Sequence, residues 1–380
     1  MTDWLDWPFF EPRHRELAER LENWCAASIS DEHPHDVDAA CRALVAKLGQ
    51  GGFLKLCVAE DGNAPDVRSL AIARSTLARA SGLADFAFAM QGLGSGAISL
   101  SGSEAQKSEW LPKVASGEAI AAYALTEPET GSDAANIAMS AGQDGNGWAL
   151  TGEKSYISNG TIADVLTVFA RTGSPEDGAR GISAFIVRGN DPGLSVAERI
   201  EVIAPHPLAR LRFDAVRAEP LGAKGEGFKV AMQTLNLFRV TVGAAALGFA
   251  RRALDEALNF ATTRKLGSGV LADNPVTWDK LAGMKMAVDA SALLIARAAW
   301  QQDQGVADNR RDAAMAKLHA TDEAQKVIDA AVQMHGGLGV TRGAKVEELY
   351  REIRALRIYE GASEVQRMII ARDLLKEHGA

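Results

Sequence analysis

Glu360 has the residue type and the setting of a general base. It lies between two stretches with helical periodicity, residues 346–359 and 364–375. A carboxylate at such a break can turn inward, where partial burial raises its proton affinity toward that of a useful base. A solvent-facing glutamate that pairs with Arg357 is the alternative that this segment leaves open.

The residues after Glu360 predict the break itself. Gly361 is free to adopt positive φ. Ser363 with Gln366 three residues later fits a capping box in which Ser363 starts the second helix. Glu360 is therefore expected in a loop between two helices.

Two other segments could approach a polar or flat ligand. TyrAlaLeuThrGluProGluThrGlySerAsp (123–133) runs from an apolar strand into a loop whose glycine and hydroxyl groups allow close approach and hydrogen bonding. GlyGluLysSerTyrIleSerAsnGly (152–160) places Tyr156 and Ser158 two residues apart, on what would be one face of a strand. An ordinary turn and a core aromatic are the respective alternatives.

The elements that must position these residues change type twice along the chain. Between residues 13 and 116, Ala, Leu, Arg and Glu recur at helical spacing, with breaks predicted at 49–52, 61–65 and 92–96. Between about 119 and 221, short apolar runs separated by Gly, Pro, Asn and Asp predict strands and turns.

Helical periodicity returns after Gly227. The predicted helices cover residues 228 to about 264, 276 to about 304 and 310 to 335, followed by the pair that flanks Glu360. Pro275 precedes the second of these helices, and Gly336 with Gly337 can end the third. The order is helices, a β insert and a helical bundle.

Composition indicates a globular protein of two or three domains. The chain has 380 residues, of which 47% are hydrophobic. Its 41 basic and 49 acidic residues give a net charge of −8 without a long run of one sign, which argues against nucleic-acid binding.

The cysteines and the apolar runs indicate a compartment. Cys25, Cys41 and Cys57 have no metal-like or redox-pair spacing, which favours a reducing cytoplasm. The first residues have no apolar secretory core, and the longest apolar run, 240–250, is shorter than a membrane span. A cytoplasmic protein without a membrane span is expected.

The whole chain resembles the acyl-CoA dehydrogenase family of flavoproteins. The resemblance rests on the segments 123–133 and 152–160 and on three further motifs. These are GlyPheLysValAlaMet (227–232), GlnMetHisGlyGlyLeuGlyValThrArg (333–342) and IleTyrGluGlyAlaSerGluValGlnArg (358–367). All five stand in family order across a chain of family length.

The resemblance implies the fold and the domain boundaries. The fold would be mainly α with a β domain: an N-terminal helical domain (1–118), a middle β-barrel-like domain (119–225) and a C-terminal four-helix bundle domain (226–380). Family members hold FAD between the β domain and the C-terminal bundle.

The resemblance also implies the reaction. Glu360 would remove the pro-R α-proton of an acyl-CoA thioester while the β-hydride passes to flavin N5, which leaves a trans-2-enoyl-CoA. The developing enolate oxygen would accept hydrogen bonds from a flavin ribityl hydroxyl and from the backbone N–H of Glu360.

Roles in cofactor binding follow residue by residue. Thr126 matches the residue that hydrogen-bonds the flavin ring, and Ser158 matches a threonine whose hydroxyl meets flavin N5. Tyr156 stands where many relatives have tryptophan. The implied cofactor positions are Tyr123, Thr126, Gly131, Ser132, Tyr156, Ser158, Arg264, Gln333, Gly336, Gly337 and Ser363.

Part of this cofactor site would be shared between subunits. Arg264 matches an arginine that reaches the FAD of a neighbouring subunit, and Gln333, Gly336 and Gly337 match a loop that approaches the same cofactor. A helix C-cap followed by a turn is a compatible explanation for that loop. A homodimer or homotetramer is therefore implied.

Substrate contacts are implied at Ser132, Asn236, Arg239 and Gly361. Arg239 would contact the CoA moiety, and a surface position on its helix is the alternative. Some branches of the family place their base immediately before the matching arginine. Phe238 stands there in this chain, so Glu360 is the matching candidate.

The chain departs from the family pattern after Arg264. The segment 265–269 lacks the aromatic common in relatives, and Pro275 replaces a glutamine. Contacts to the adenine end of FAD therefore stay unassigned.

Three functions fit the residues. The first is an acyl-CoA dehydrogenase that passes electrons to an electron-transfer flavoprotein; the second is an acyl-CoA oxidase that uses O2; the third is a non-catalytic flavin or CoA-ester binding protein. A flavin monooxygenase of this fold is disfavoured by Glu360. The acyl group is not predicted, because it depends on the packing of the cavity.

Overall fold

The computed structural model describes residues 3–30, 34–59, 65–145, 147–306 and 308–379. The chain divides into two compact units. Unit 1 contains Met1–Ile29, Asp66–Asp85 and Arg239–Ala380, and unit 2 contains Ser30–Pro65 and Phe86–Phe238. The helix break expected at 61–65 lies outside the described residues except for Pro65.

The helices before the sheet are α1 (Pro12–Ser28), α2 (Val37–Gln50), α3 (Val67–Ala80), α4 (Gly82–Ser101) and α5 (Glu104–Ser116). The helices after it are α6 (Gly227–Thr263), α7 (Pro275–Asp303), α8 (Arg310–His335), α9 (Lys345–Leu356) and α10 (Ser363–Glu377). The break expected at 49–52 is confirmed, because α2 ends at Gln50 and Gly52 has φ 75°.

The strands are β1 (Ala121–Ala124), β2 (Ser140–Asp144), β3 (Gly147–Ser158), β4 (Val165–Arg171), β5 (Ile182–Arg188), β6 (Leu194–Arg199) and β7 (Leu208–Leu221), with a short hairpin of β8 (Lys265–Leu266) and β9 (Gly269–Val270). The first seven form one sheet in which β4, β2, β3, β7 and β5 follow one another. Strand β5 also pairs with β4, from Val165 opposite Arg188 to Arg171 opposite Ile182. The sheet closes on itself, so the predicted β-barrel-like region is confirmed.

Apolar side chains fill the interior of this sheet. Phe185 and Phe213 come from two different strands, and each is 1% exposed in a cluster made of strand residues. Phe169 is also buried, but it packs on the other face of β4, in a cluster that includes Trp110 and Val114 of α5. Strand β4 is buried on both faces along nearly its whole length, which explains why its sequence does not alternate and is apolar apart from Thr167 and Arg171.

The glycine-rich segment 92–96 is not a helix break, contrary to expectation, because it lies within α4. Its glycines allow close packing within unit 2. A Cβ atom on Gly94 would lie 2.7 Å from the backbone of Ala121, and one on Gly92 would lie 2.6 Å from the ring of Phe238. The benefit of this approach exceeds the low helix propensity of glycine.

Small residues also shape the packing of α6 in unit 1. A Cβ atom on Gly243 would lie 3.1 Å from the carbonyl oxygen of Ala316 on α8. Helix α6 is long and apolar enough to cross a membrane by composition, yet 78% of its most apolar window is buried inside the protein. That burial is typical of a core helix.

Helix α8 is central to the C-terminal bundle of unit 1. It contacts α7, α9 and α10. The bounds expected for α8 from its periodicity, 310–335, agree with the structure, and Gly336 follows as its C-cap. Pro275 occupies the first turn of α7, where its missing N–H costs nothing.

Two glycine substitutions test the packing of α4. We expect Gly94→Ala to destabilise the protein by about 1–3 kcal/mol, because its Cβ would overlap the backbone of Ala121. The matched control is Gly283→Ala in α7, where no atom lies within 4 Å of the new Cβ. This variant should be stabilised by about 0.5–1 kcal/mol through its better helix propensity. Thermal unfolding midpoints of the two variants measure these effects. Equal shifts of the midpoint in Gly94→Ala and Gly283→Ala would contradict the packing role of Gly94.

Candidate functional site

Glu360 lies in the loop between α9 and α10, as its sequence context predicts. Two consecutive residues are left-handed, since φ is 52° at Glu360 and 91° at Gly361. Such a conformation is costly for a residue with a side chain and persists only where the surroundings hold it. The surrounding residues of unit 1 therefore hold the loop in this conformation.

The capping box expected at Ser363 is wrong. Ala362 is the N-cap and Ser363 is the first helical residue of α10. The Ser363 hydroxyl donates to Asp322 Oδ1 at 3.2 Å, and Gln366 Nε2 donates to the carbonyl oxygen of Gly361 at 2.8 Å. Ser363 therefore bonds to a residue of α8, and Gln366 bonds to the loop that precedes its own helix.

Lys317 of α8 holds the Glu360 loop from the interior of the bundle. Its side chain is buried. Its Nζ donates to the carbonyl oxygen of Tyr359 at 2.7 Å and to that of Gly361 at 2.5 Å. These carbonyls belong to the residues on either side of Glu360, so Lys317 determines the path of the backbone through Glu360.

Asp322, also on α8, holds the ends of the same loop. Its carboxylate accepts from Arg357 Nε at 2.8 Å and from Arg367 Nη2 at 3.0 Å, in addition to the Ser363 hydroxyl. Arg357 therefore pairs with Asp322, whereas the alternative of a surface glutamate had Arg357 pairing with Glu360.

The carboxylate of Glu360 is buried at one oxygen. The residue as a whole is partly exposed, but Oε2 is buried and has no hydrogen-bond partner among the described residues. Burial raises the pKa of Glu360, and the charges of Arg74, Lys317 and Arg239 act in the opposite direction. The alternative of a solvated surface glutamate does not hold.

Arg74 and Asp85 add a buried ion pair to this surrounding. Arg74 on α3 donates to both carboxylate oxygens of Asp85 on α4, at 2.9 and 2.8 Å, and to the hydroxyl of Thr241 at 3.2 Å. The negative charge of Asp85 raises the pKa of Glu360, whereas the positive charge of Arg74 lowers it.

Arg239 is buried and does not lie on the surface of its helix. It is 6% exposed, burial lowers its pKa, and the charge of Glu360 raises it. Lys317 shows the same pattern, because burial lowers its pKa to about 8. Arg239 therefore belongs to the environment of Glu360 in unit 1.

Sequence reasoning missed Arg74, Asp85 and Lys317. A signal exists for the two cations, because each interrupts an alanine-rich apolar stretch on a helix. A charge that replaces an apolar residue on a buried helix face usually has a partner or a function. The sequence alone does not show which partner.

In unit 2, a buried ion pair fixes the segment 123–133. Glu127 accepts from the backbone N–H of Ala138 at 2.6 Å and of Met139 at 3.0 Å. Lys154 Nζ donates to Glu127 Oε1 at 2.8 Å and to the carbonyl oxygen of Leu125 at 2.9 Å. Glu127 lies within the segment 123–133 and Lys154 within 152–160, but neither was expected to have a role from the sequence.

This anchoring leaves polar groups of the segment accessible. The hydroxyls of Thr126 and Ser158 are partly exposed and make no hydrogen bond within the part of the chain that the structure describes. Ser132 is exposed, and a Cβ on Gly131 would meet no atom within 4 Å. Tyr123 faces inward, and its hydroxyl donates to the carbonyl oxygen of Ala231 at 3.2 Å.

Tyr156 and Ser158 do not follow simple strand alternation. The register of β3 against β7 shifts between Lys154 and Ile157, and Tyr156 has φ 56°. The irregularity leaves Tyr156 62% exposed. The alternative of a core aromatic is therefore wrong for Tyr156 in this structure.

The remaining predicted cofactor positions of unit 1 are solvent-exposed. These are Arg264, Gln333, Gly336 and Gly337. Gly336 is the C-cap of α8 with φ 59°, so the helix-cap explanation of that loop is correct. Of the predicted substrate positions, Arg239 and Gly361 lie beside Glu360 in unit 1, whereas Asn236 and Ser132 belong to unit 2.

Comparison with known proteins identifies the family of the chain. The family models for the N-terminal, middle and C-terminal domains of acyl-CoA dehydrogenases match residues 11–118, 122–216 and 225–375.

Individual relatives match over nearly the whole chain. The 3-(aryl)acrylate reductase of Clostridium sporogenes is 34% identical over 381 residues, which cover 97% of this chain and 100% of the relative. The human mitochondrial short-chain specific acyl-CoA dehydrogenase is 36% identical over 378 residues, with coverage of 96% and 89%. The structure of butyryl-CoA dehydrogenase from Megasphaera elsdenii superimposes with a TM-score of 0.88 at 29% identity, with coverage of 96% and 99%.

The likeness extends from the first helix to the last and includes the segments that carry Glu360, Thr126 and Ser158. The chain belongs to the acyl-CoA dehydrogenase family and is an FAD-dependent oxidoreductase.

Proposed function

We propose that the protein converts an acyl-CoA thioester into a trans-2-enoyl-CoA, with Glu360 as the base that removes the α-proton. The observation that carries this proposal is the state of the Glu360 carboxylate. Its Oε2 is buried and has no partner among the described residues, although cationic side chains lie nearby. A carboxylate held ready to accept a proton requires this combination.

The surroundings of Glu360 balance two demands on the base. Burial increases its affinity for a proton, which the abstraction of a weakly acidic α-proton requires. The positive charges of Arg74, Lys317 and Arg239 act against that increase and favour the ionised form of Glu360. The same cations favour the negative charge that develops on the thioester.

The backbone of the loop supports stabilisation of the enolate oxygen. The N–H of Glu360 donates no hydrogen bond within the described residues. Its left-handed φ removes it from the hydrogen-bond pattern of the flanking helices. This N–H is therefore available as the oxyanion donor that the family resemblance implies.

The residues of unit 2 fit a bound FAD. Thr126 and Ser158 offer hydroxyls that make no hydrogen bond among the described residues, Gly131 leaves space for a close approach, and Tyr156 exposes an aromatic ring. We assign these residues, with Tyr123 and Ser132, to cofactor binding. When bound, FAD supplies the two-electron acceptor for the hydride that leaves the β-carbon.

We propose a homodimer or homotetramer in which the exposed Arg264, Gln333, Gly336 and Gly337 serve the FAD of a neighbouring subunit. Helix α7 supports this assembly because it exposes apolar side chains at a spacing of seven residues. Met286 is 73%, Leu293 47% and Trp300 37% exposed. We expect sedimentation velocity of the FAD-loaded protein at micromolar concentration to show a dimer or tetramer, and a monomer would contradict the assignment.

The proposal also covers the electron acceptor that reoxidises the flavin and the acyl group of the substrate. An electron-transfer flavoprotein in the cytoplasm would reoxidise the enzyme, whereas rapid release of hydrogen peroxide during turnover in air would instead indicate an oxidase. The names of the relatives point to both short-chain and aryl substrates. Anaerobic bleaching of the flavin by butyryl-, isobutyryl-, cyclohexanecarbonyl- and 3-phenylpropanoyl-CoA would identify the acyl class.

Glu360→Gln tests the base. The amide keeps the shape of the side chain but cannot accept the α-proton, so turnover should fall by on the order of 10²-fold or more, with FAD content and acyl-CoA binding preserved. In the unchanged enzyme, kcat/KM should fall on the acidic side at a pH above the ordinary glutamate pKa of 4.5, because burial raises the pKa of Glu360.

The matched control is Glu364→Gln, four residues away and exposed on α10. It should retain normal turnover. Near-normal turnover by Glu360→Gln would refute Glu360 as the base.

Glu127→Gln tests the anchoring of the cofactor segment. Both carboxylate oxygens of Glu127 accept backbone N–H groups, and an amide can satisfy only one of them. Leaving a buried donor unpaired costs about 1–3 kcal/mol, so FAD should bind more weakly and the thermal midpoint should fall.

Fluorescence titration of the apoprotein with FAD measures the effect of Glu127→Gln. The control is Glu153→Gln. The carboxylate of Glu153, on β3, pairs with Arg210 and Arg212, whose side chains are partly exposed. Equal FAD affinity in both variants would show that the Glu127 anchor is unimportant for the cofactor.

A further inference from the structure

We infer that Lys317 is a positioning residue for the base: its ammonium group holds the left-handed turn that presents Glu360 and leaves Oε2 of the carboxylate without a hydrogen-bond partner among the described residues. This inference rests on the proposed function of Glu360. It adds a residue of α8 that lies 43 positions before Glu360 in the sequence.

Lys317 binds the backbone on both sides of Glu360. Lys317 is 1% exposed, and its Nζ donates to the carbonyl oxygens of Tyr359 and Gly361 at 2.7 and 2.5 Å. A single donor group thus bridges the peptide before Glu360 and the peptide after Gly361. Because the ammonium group carries a full charge, these hydrogen bonds are stronger than bonds between neutral groups.

The bonds from Lys317 hold a left-handed turn at Glu360 and Gly361. Glu360 has φ 52°, a value that residues with side chains rarely adopt, and Gly361 follows with φ 91°. Helix α9 ends at Leu356 and α10 begins at Ser363. The N–H of Tyr359 donates to the carbonyl oxygen of Ala355 and that of Ser363 to the carbonyl oxygen of Arg357, whereas the N–H of Glu360 donates no hydrogen bond among the described residues. The bonds from Lys317, together with that from Gln366 to Gly361, stabilise the turn.

Lys317 donates no hydrogen bond to Glu360 Oε2 among the described residues. A lysine that donated directly to a buried carboxylate would occupy the lone pairs that must receive the α-proton. Here both hydrogen bonds from Nζ go to the backbone, and Glu360 Oε2 has no hydrogen-bond partner among the described residues. The charge of Lys317 therefore acts on Glu360 without occupying Oε2.

The other charged groups around Glu360 come from different elements. Arg74 lies on α3, Asp85 on α4 and Arg239 on α6, and Tyr359 precedes Glu360 in the loop. The guanidinium of Arg74 makes a bidentate ion pair with Asp85, whereas Lys317 binds the backbone of the loop itself. Lys317 therefore combines an electrostatic effect with control of the position of the base.

Lys317→Met tests both effects, because methionine fills similar space without charge or donors. We expect FAD content to be retained and KM to change little. The kcat for the best substrate of the acyl-CoA panel should fall by about 10-fold or more, since small displacements of a catalytic group are costly. Loss of the positive charge raises the pKa of Glu360, so the acidic limb of kcat/KM should move to higher pH.

Lys317→Arg separates position from charge. The guanidinium keeps the charge and should return the acidic limb toward that of the unchanged enzyme. Its planar fork cannot place one nitrogen between the two carbonyls, so kcat should stay reduced. If Lys317→Met does not fold, this variant still tests the inference, because full kcat in Lys317→Arg would overturn the positional role.

The matched control is Lys326→Met on the same helix, where the lysine is exposed and pairs with Glu323. It should leave kcat and the pH profile unchanged. A folded Lys317→Met enzyme with normal kcat and an unshifted acidic limb overturns the inference. That result would leave the proposed function intact as long as Glu360→Gln is inactive, whereas an active Glu360→Gln would refute the proposed base itself.

Discussion

The proposed role of Glu360 as the base requires an ionised carboxylate inside the protein, and charged residues from several helices of unit 1 bear on that constraint. Burial disfavours the charged form of a carboxyl group, so an isolated buried glutamate would hold its proton too firmly to act as a base. Arg74, Lys317 and Arg239 oppose this cost from α3, α8 and α6. Because Lys317 donates to the neighbouring carbonyls, Oε2 stays without a hydrogen bond among the described residues. The site therefore combines electrostatic support with an open acceptor.

The two units use the same device to shape a functional loop. In unit 2, Lys154 donates to the carbonyl oxygen of Leu125 and pairs with Glu127, which in turn accepts two backbone N–H groups. In unit 1, Lys317 donates to two carbonyls of the Glu360 loop. A buried ammonium group needs acceptors, and loop carbonyls need donors, so each satisfies the other. The carboxylate of Glu360 and the hydroxyl of Thr126, which we propose to meet ligands, take no part in these networks among the described residues.

Local sequence signals were reliable where local physics decides the structure. The bounds of α8 follow from its periodicity and from the glycine that ends it, and the strands follow from short apolar runs separated by turn residues, whereas the closed sheet was implied by the family resemblance. They failed where a distant contact competes. The glycines at 92–96 lie within a helix because other backbone packs against them, and Ser363 bonds to Asp322 and does not cap its own helix.

By itself, the sequence determined the family, the order of helices and strands and the cofactor, and it singled out Glu360 as the proposed base, because periodicity and five ordered motifs are local properties of the chain. Only the tertiary structure decided that Arg74, Asp85, Arg239 and Lys317 surround Glu360, and that Tyr156 turns outward at a strand irregularity. The reason is physical: the proton affinity of a carboxylate depends on charges within a few ångströms, and the residues that supply them are far apart in the sequence.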